Sequence, residues 1–129
     1  MSSLKVNTVQ HNTSGFNNVV QFTDGSGTQN ATLCRAWVNF RGTGTVLIRA
    51  SFNVSSVTDN GVGDYIVNLS NAMTDANYCV TIASNSTLTG GYPTPFIDNS
   101  YTTSSFRVII GKNAISDDDS TIVNTAIFR

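Results

Sequence analysis

Few residues in this chain have the means to do chemistry. There is one histidine, His11, set in a polar N-terminal stretch. A histidine base needs a nucleophile beside it and a third group to orient it, and no serine-bearing elbow motif is present. A surface histidine is the expectation. All eight acidic residues are Asp. Asp117, Asp118 and Asp119 crowd together the oxygen ligands that Ca²⁺ favours. Three consecutive residues of an extended chain cannot all aim at one ion, and the spacing and terminal Glu of an EF-hand loop are absent. A solvated acidic turn is expected there. Asp59 and Asp64 flank a glycine-rich turn. A carboxylate pair has the form needed for glycoside hydrolysis, but a hairpin turn is a poor place to hold one rigidly. Side chains bonding nearby backbone amides are the expected role. Cys34 and Cys79 follow no spacing motif and are expected to be two buried free thiols.

The residues suited to gripping a partner are more numerous. Trp37, Phe40, Phe52 and Tyr65 resemble a sugar-binding platform in type, yet aromatics on the strands of a small β domain more often fill the core or a subunit interface. The stretch 85–104 carries both prolines, a Gly-Gly pair and the aromatics Tyr92, Phe96 and Tyr101. With Asn85 and Asn99 beside them, these form a candidate ligand-contact loop in which rings stack on sugars; packing of the loop itself is the competing role. Five Asn-x-Ser/Thr sequons begin at Asn12, Asn30, Asn53, Asn68 and Asn85. With no secretory signal at the N-terminus they reflect abundant Asn, Ser and Thr.

The elements that must position these residues read as strands. Ser, Thr and Asn make up about a third of the chain, Glu is absent and Lys occurs twice. Helical surfaces lack their usual material, whereas Thr, Val, Ile, Phe and Tyr suit a pleated surface. The fold class is all-β: a small antiparallel β-sandwich of six to eight short strands with an extended N-terminal arm. The arm, 1–33, holds at most short strands at LKVNTVQ and GFNNVVQF, with loop over DGSGTQN. The module, 34–129, starts with a strand from Leu33 to Phe40, a glycine turn at Arg41–Gly44 and a return from Thr45. The run VLIRASFNV lacks clean alternation, as in a strand covered on both faces or one containing a bulge. Asn60-Gly61 between SFNVSSV and YIVNL is a strong hairpin signal and sets Tyr65, Val67 and Leu69 on one face. Tyr78, Val80 and Ile82 share a face of the next strand, with Met73 tucked against the sheet. Phe106, Val108 and Ile110 share a face of another, and IVNTAIFR closes the chain.

Charge and length narrow the partners. A net charge of −1 over 129 residues gives no electrostatic footprint for nucleic acid. No apolar run reaches transmembrane length, so no membrane insertion is expected. No cofactor is implied. Synthesis in a cytoplasm is the expectation.

The segments CRAWVNFRGTGTV, IRASFNVSSVTDNGVGDY and AMTDANY resemble the C-terminal module of tail-fibre and related virion structural proteins of marine bacteriophages, the cyanophage type above all. LKVNTVQHNTSG is similar to the lead-in of such modules, and AIFR to their end. The resemblance implies a non-enzymatic virion protein, a homotrimer exposing its loops to the host surface, with no catalytic residues carried over. Partners so implied are further copies of itself, other virion proteins through the N-terminal arm, and a host glycan or receptor. Only some thirty residues precede the module, so a capsid decoration or head-fibre protein is the alternative; a polysaccharide depolymerase ranks behind both.

Overall fold

Alternation of apolar and polar side chains dictates two layers. A computed structural model describes residues 19–24, 27–85, 93–97, 100–112 and 116–129. Its strands are β1 (Val19–Asp24), β2 (Gly27–Thr32), β3 (Cys34–Arg41), β4 (Leu47–Phe52), β5 (Val54–Gly61), β6 (Asp64–Leu69), β7 (Cys79–Ser84), β8 (Pro93–Ile97), β9 (Ser105–Lys112), β10 (Ser116–Asp117) and β11 (Val123–Phe128). One layer is a four-stranded sheet in the order β4-β3-β11-β7. The other is five-stranded, with β10-β9-β6-β5 in sequence and β8 also on β9. All pairings are antiparallel. The protein is the small β-sandwich that its composition predicts.

The core lies where the inward positions of both sheets meet. Ala36, Val38, Phe40, Val123 and Ile127 come from one layer; Tyr65, Val67, Leu69, Phe106, Val108 and Ile110 come from the other. The rings of Phe40 and Tyr65 meet edge to face across the layers at 5.2 Å, a geometry favoured by their quadrupoles. Met73 is buried as expected, and so is Tyr78. The Tyr78 hydroxyl donates to the carbonyls of Thr102 and Ser105. Burial, with Tyr101 close by, pushes this phenol up to about 12.

The hairpins differ in detail from expectation. Gly44 (φ 65°) takes the left-handed turn between β3 and β4. β4 is not covered on both faces, for most of its residues are exposed. The bulge alternative holds instead: Asn39 pairs with Ala50 and Phe40 with Ile48, so Arg49 is the extra residue. The β5–β6 hairpin forms, but its tip is Val62-Gly63 rather than Asn60-Gly61, because the register shifts between Asp59 and Gly61. Gly63 (φ 67°) docks onto the neighbouring strand. Its carbonyl accepts from the Ile110 amide, and its own amide donates to the Asp119 carboxylate.

Two stretches expected to be irregular contain strands. β8 lies within 85–104, at the edge of its sheet, where proline's missing N–H is tolerated. DGSGTQN is partly β2, which pairs with β1 as a separate two-stranded sheet. β3, starting at Cys34, is the first strand in chain order to join either layer.

Candidate functional site

An outward-facing side chain on a sandwich strand contributes nothing to the core, so its chemistry reflects what lies outside. The outer face of β4-β3-β11-β7 is built by strand register. Phe52, Trp37, Ala126 and Thr81 stand side by side across its four strands. The next row is Ala50, Asn39, Asn124 and Ala83. Trp37 is 39% exposed and Phe52 55%. Small alanines beside the indole leave a trough of about 280 Å³, lined by Trp37, Thr81, Ala83, Asn124 and Ala126 among others. Asn39 donates to Asn124 across the face, and Arg49 folds over the edge to the Thr121 carbonyl.

The outer face of β5-β6-β9 carries different chemistry. Ser56, Asn68 and Ser105 form one row, and Thr58, Ile66 and Arg107 the next. The Asn68 amide donates to both Ser56 Oγ and Thr58 Oγ1 at 3.0 Å. Arg107 grips Asp64 with two hydrogen bonds, Nε to Oδ1 at 2.8 Å and Nη2 to Oδ2 at 2.7 Å. These bonds hold the Asp64 carboxyl below the usual carboxylate range, against partial burial that pushes it up; Asn60 adds to the lowering. A hollow of about 370 Å³ opens on this face, lined by Asn60, Ile66, Ser100, Thr102, Ser105 and Arg107. Its rim is braced by Thr102 Oγ1, which accepts from the backbone amides of Ser104 and Ser105.

The residues singled out in the sequence separate into distinct roles. Phe40 and Tyr65 are core, while Trp37 and Phe52 face outward. Tyr101, expected in an exposed loop, is half-buried and packs its ring on Tyr78 at 5.1 Å. A ring so engaged is poorly placed to stack on a sugar. Asn85 is engaged too: its side chain bonds Thr121 Oγ1 and accepts from the Ile122 amide. Phe96 sits on β8. Tyr92, Asn99 and His11 lie outside the described residues.

Asp59, Asp64, Asp75 and Asp119 all accept structural hydrogen bonds. Asp59 accepts from the Gly61 amide, the turn role expected of it. Asp119 is not a solvated member of an acidic turn, because it accepts from the Tyr65 hydroxyl at 2.7 Å as well as from Gly63. Burial and this carboxylate both raise the Tyr65 phenol. The sequon residue Asn53 (φ 55°) ties the opposite end of the sandwich, bonding the Arg35 and Asn71 carbonyls.

Cys34 and Cys79 are free thiols, but neither is buried as expected: Cys34 is partly exposed and Cys79 exposed. Each pairs across strands with Phe128 from opposite sides. Two strand spacings, roughly 10 Å, therefore separate their backbones, beyond disulfide reach.

Sequence reasoning missed the hollow because its residues come from three separate segments, Asn60–Ile66, Ser100–Thr102 and Ser105–Arg107. The usable signal was the polar side of the alternation on β6 and β9. Among the described residues no group of three or more His, Cys, Asp or Glu is placed to hold a metal. No helix among them is long and apolar enough to cross a membrane. Compared with protein-family models, curated proteins and solved structures, the chain matches none.

Proposed function

We propose that this chain is a non-enzymatic structural protein of a bacteriophage virion, a tail-fibre or fibre-tip module that attaches the particle to the host surface. The virion setting comes from the sequence resemblance. The observation that carries the reading is the outward Trp37–Phe52 pair, a tryptophan and a phenylalanine side by side in water on a sheet otherwise finished with a core. Such a strip stabilises an assembly when covered, at roughly 25 cal/mol per Å² of apolar area removed from water.

In this reading copies of the chain bury that face against one another as a homotrimer, and the hydroxyl- and amide-rich face stays in contact with solvent and host. Closure into a trimer also shields exposed strand edges such as β4 from adventitious pairing. Weak contacts multiplied over several copies suffice for adhesion. The β1–β2 hairpin, a sheet of its own, belongs to the arm that docks on other virion proteins.

Gold-labelled antibody against the chain, imaged on intact particles, tests this. Label confined to tail ends is the expected result. Label over the whole head supports capsid decoration instead, and particles that carry no label contradict both.

A further inference from the structure

We infer that Asn60-Gly61 is a covalent modification site: Asp59 and Asp64 keep Asn60 intact while the β5–β6 hairpin is closed, and it deamidates on opening. The inference does not depend on what the chain attaches to.

Asn60-Gly61 is the one Asn-Gly step in the chain. Deamidation starts when the next residue's amide nitrogen attacks the side-chain carbonyl carbon, and glycine, with no Cβ beside that nitrogen, obstructs the approach least. Here the Gly61 nitrogen attacks Asn60 Cγ. The new N–Cγ bond closes a five-membered imide. The Cγ–Nδ2 bond breaks, and Nδ2 leaves as ammonia with the Gly61 amide proton. Water then adds to either imide carbonyl, and the bond from that carbon to the nitrogen breaks. The product is aspartate, or isoaspartate with the backbone running through the side chain.

Nothing steric prevents this reaction. Both residues are exposed. Asp59 pairs with Tyr65 and Gly61 with Asp64, which leaves Asn60 in the bulge with no cross-strand partner. Gly61 has φ 137° and open space where a Cβ would stand. What restrains the two reacting groups is hydrogen bonding. The Gly61 amide donates to Asp59 Oδ1 at 3.0 Å, so the attacking nitrogen keeps its proton and faces a carboxylate. The Asn60 side chain bonds Asp64, which Arg107 already grips. Ring closure must break both contacts and build negative charge beside two carboxylates, which like charge opposes.

The hairpin tip is shut by Gly63, whose carbonyl accepts from the Ile110 amide and whose amide donates to Asp119. Opening frees the bulge to react. A carboxylate at position 60 then has no donor for Asp64 and adds a like charge beside Asp59 and Asp64. Opening is thereby recorded as a charge that resists reclosing.

The test is mass spectrometry of the digested full chain after storage at neutral pH, folded and in urea. Deamidation adds one mass unit, and fragmentation locates it. In urea Asn60 is expected to react ahead of every other Asn. In the folded chain it should react about tenfold more slowly or less, the effect of two modest hydrogen bonds. Asp59→Ala should speed the folded reaction by about 5-fold, as loss of one hydrogen bond does. Asp59→Asn keeps an acceptor and should fall between that variant and the parent. Both should keep the parent's melting temperature, because Asp59 is exposed. Asn60→Asp, the product itself, should raise the Asp64 carboxyl pKa in a ¹³C NMR titration. The inference is overturned if Asn60 survives in urea, or if the folded chain reacts as fast as the unfolded one. It is equally overturned if Asp59→Ala reacts no faster than the parent, or if Asn60→Asp leaves Asp64 unmoved.

Discussion

The two outer faces of the sandwich share a core, a strand geometry and a side-chain alternation, yet exposed aromatic rings stand on one and a charged pair among hydroxyls and an amide on the other. On β4-β3-β11-β7 the outward rows hold Phe52, Trp37 and three alanines, with Thr81, Asn39 and Asn124 among them. On β5-β6-β9 they hold Ser56, Thr58, Asn68, Ser105 and the Asp64–Arg107 pair around a single aliphatic, Ile66. Folding asks nothing of an outward position beyond strand compatibility. In the proposed assembly the difference corresponds to two environments: one face covered by further copies of the chain, the other left wet.

The sharpest way to break that contrast is to put a charge on each face. In the proposed trimer, Trp37→Asp or Phe52→Asp would bury an unpaired carboxylate in the interface, weakening association by ~3 kcal/mol or more, about a hundredfold. Light scattering should then give the 13.8 kDa mass of one chain, while the melting temperature of that chain stays close to the parent's.

The turns of the two sheets offer the next comparison. Gly63 and Gly44 share nearly the same positive φ, but only Gly63 is crowded. A Cβ at Gly63 would lie 2.5 Å from the Ile110 carbonyl oxygen and 2.7 Å from the Asp118 nitrogen; at Gly44 it would meet nothing within 4 Å. Gly63→Ala should cost about 3 kcal/mol and Gly44→Ala about 1 kcal/mol in chemical denaturation. Equal losses would mean that the hairpin tip is not clamped onto β9.

A smaller effect distinguishes the ion pair on the polar face. The folded protein holds Asp64 below its ordinary pKa, so the folded chain takes up this proton less readily than the unfolded one. The stabilisation is complete above about pH 5 and fades as pH falls through the ordinary carboxylate range towards the depressed folded value. Both partners are partly exposed, which limits it to about 1 kcal/mol. Arg107→Met should lower stability by that amount at pH 7 and flatten the acid side of the pH–melting curve. An unchanged acid limb would place the acid sensitivity elsewhere. Smallest of all, Ser56→Asp should leave both assembly and stability within about 0.5 kcal/mol, the counterpart of the charge placed beside Trp37.

The layers were legible because alternation is a local signal. Tyr65-Val67-Leu69 and Phe106-Val108-Ile110 each declare an inward face within five residues. What the sequence hid is non-local. Asp119 reads as one of three adjacent carboxylates until its partners, Gly63 and Tyr65, more than fifty residues earlier, are brought beside it. Phe52 follows a bulge at Arg49, so the alternation that should reveal its direction is broken. β8 was masked by Pro93 and Pro95, which argue against any strand except an edge strand. β1 and β2 pair without an alternating apolar face to announce them. The aromatic loop was legible as composition only; Tyr101 packs on Tyr78, and Asn85 is held by the Thr121 hydroxyl and the Ile122 amide.

Trp37 is the sole tryptophan, so its fluorescence reports directly on the face that matters most. The account expects blue-shifted emission, shielded from iodide, in a species of three times the single-chain mass, with both the shift and the shielding lost on dilution to monomer. Red-shifted, freely quenched emission from a 13.8 kDa particle at every concentration, and equally in the presence of virions lacking the protein, would contradict it.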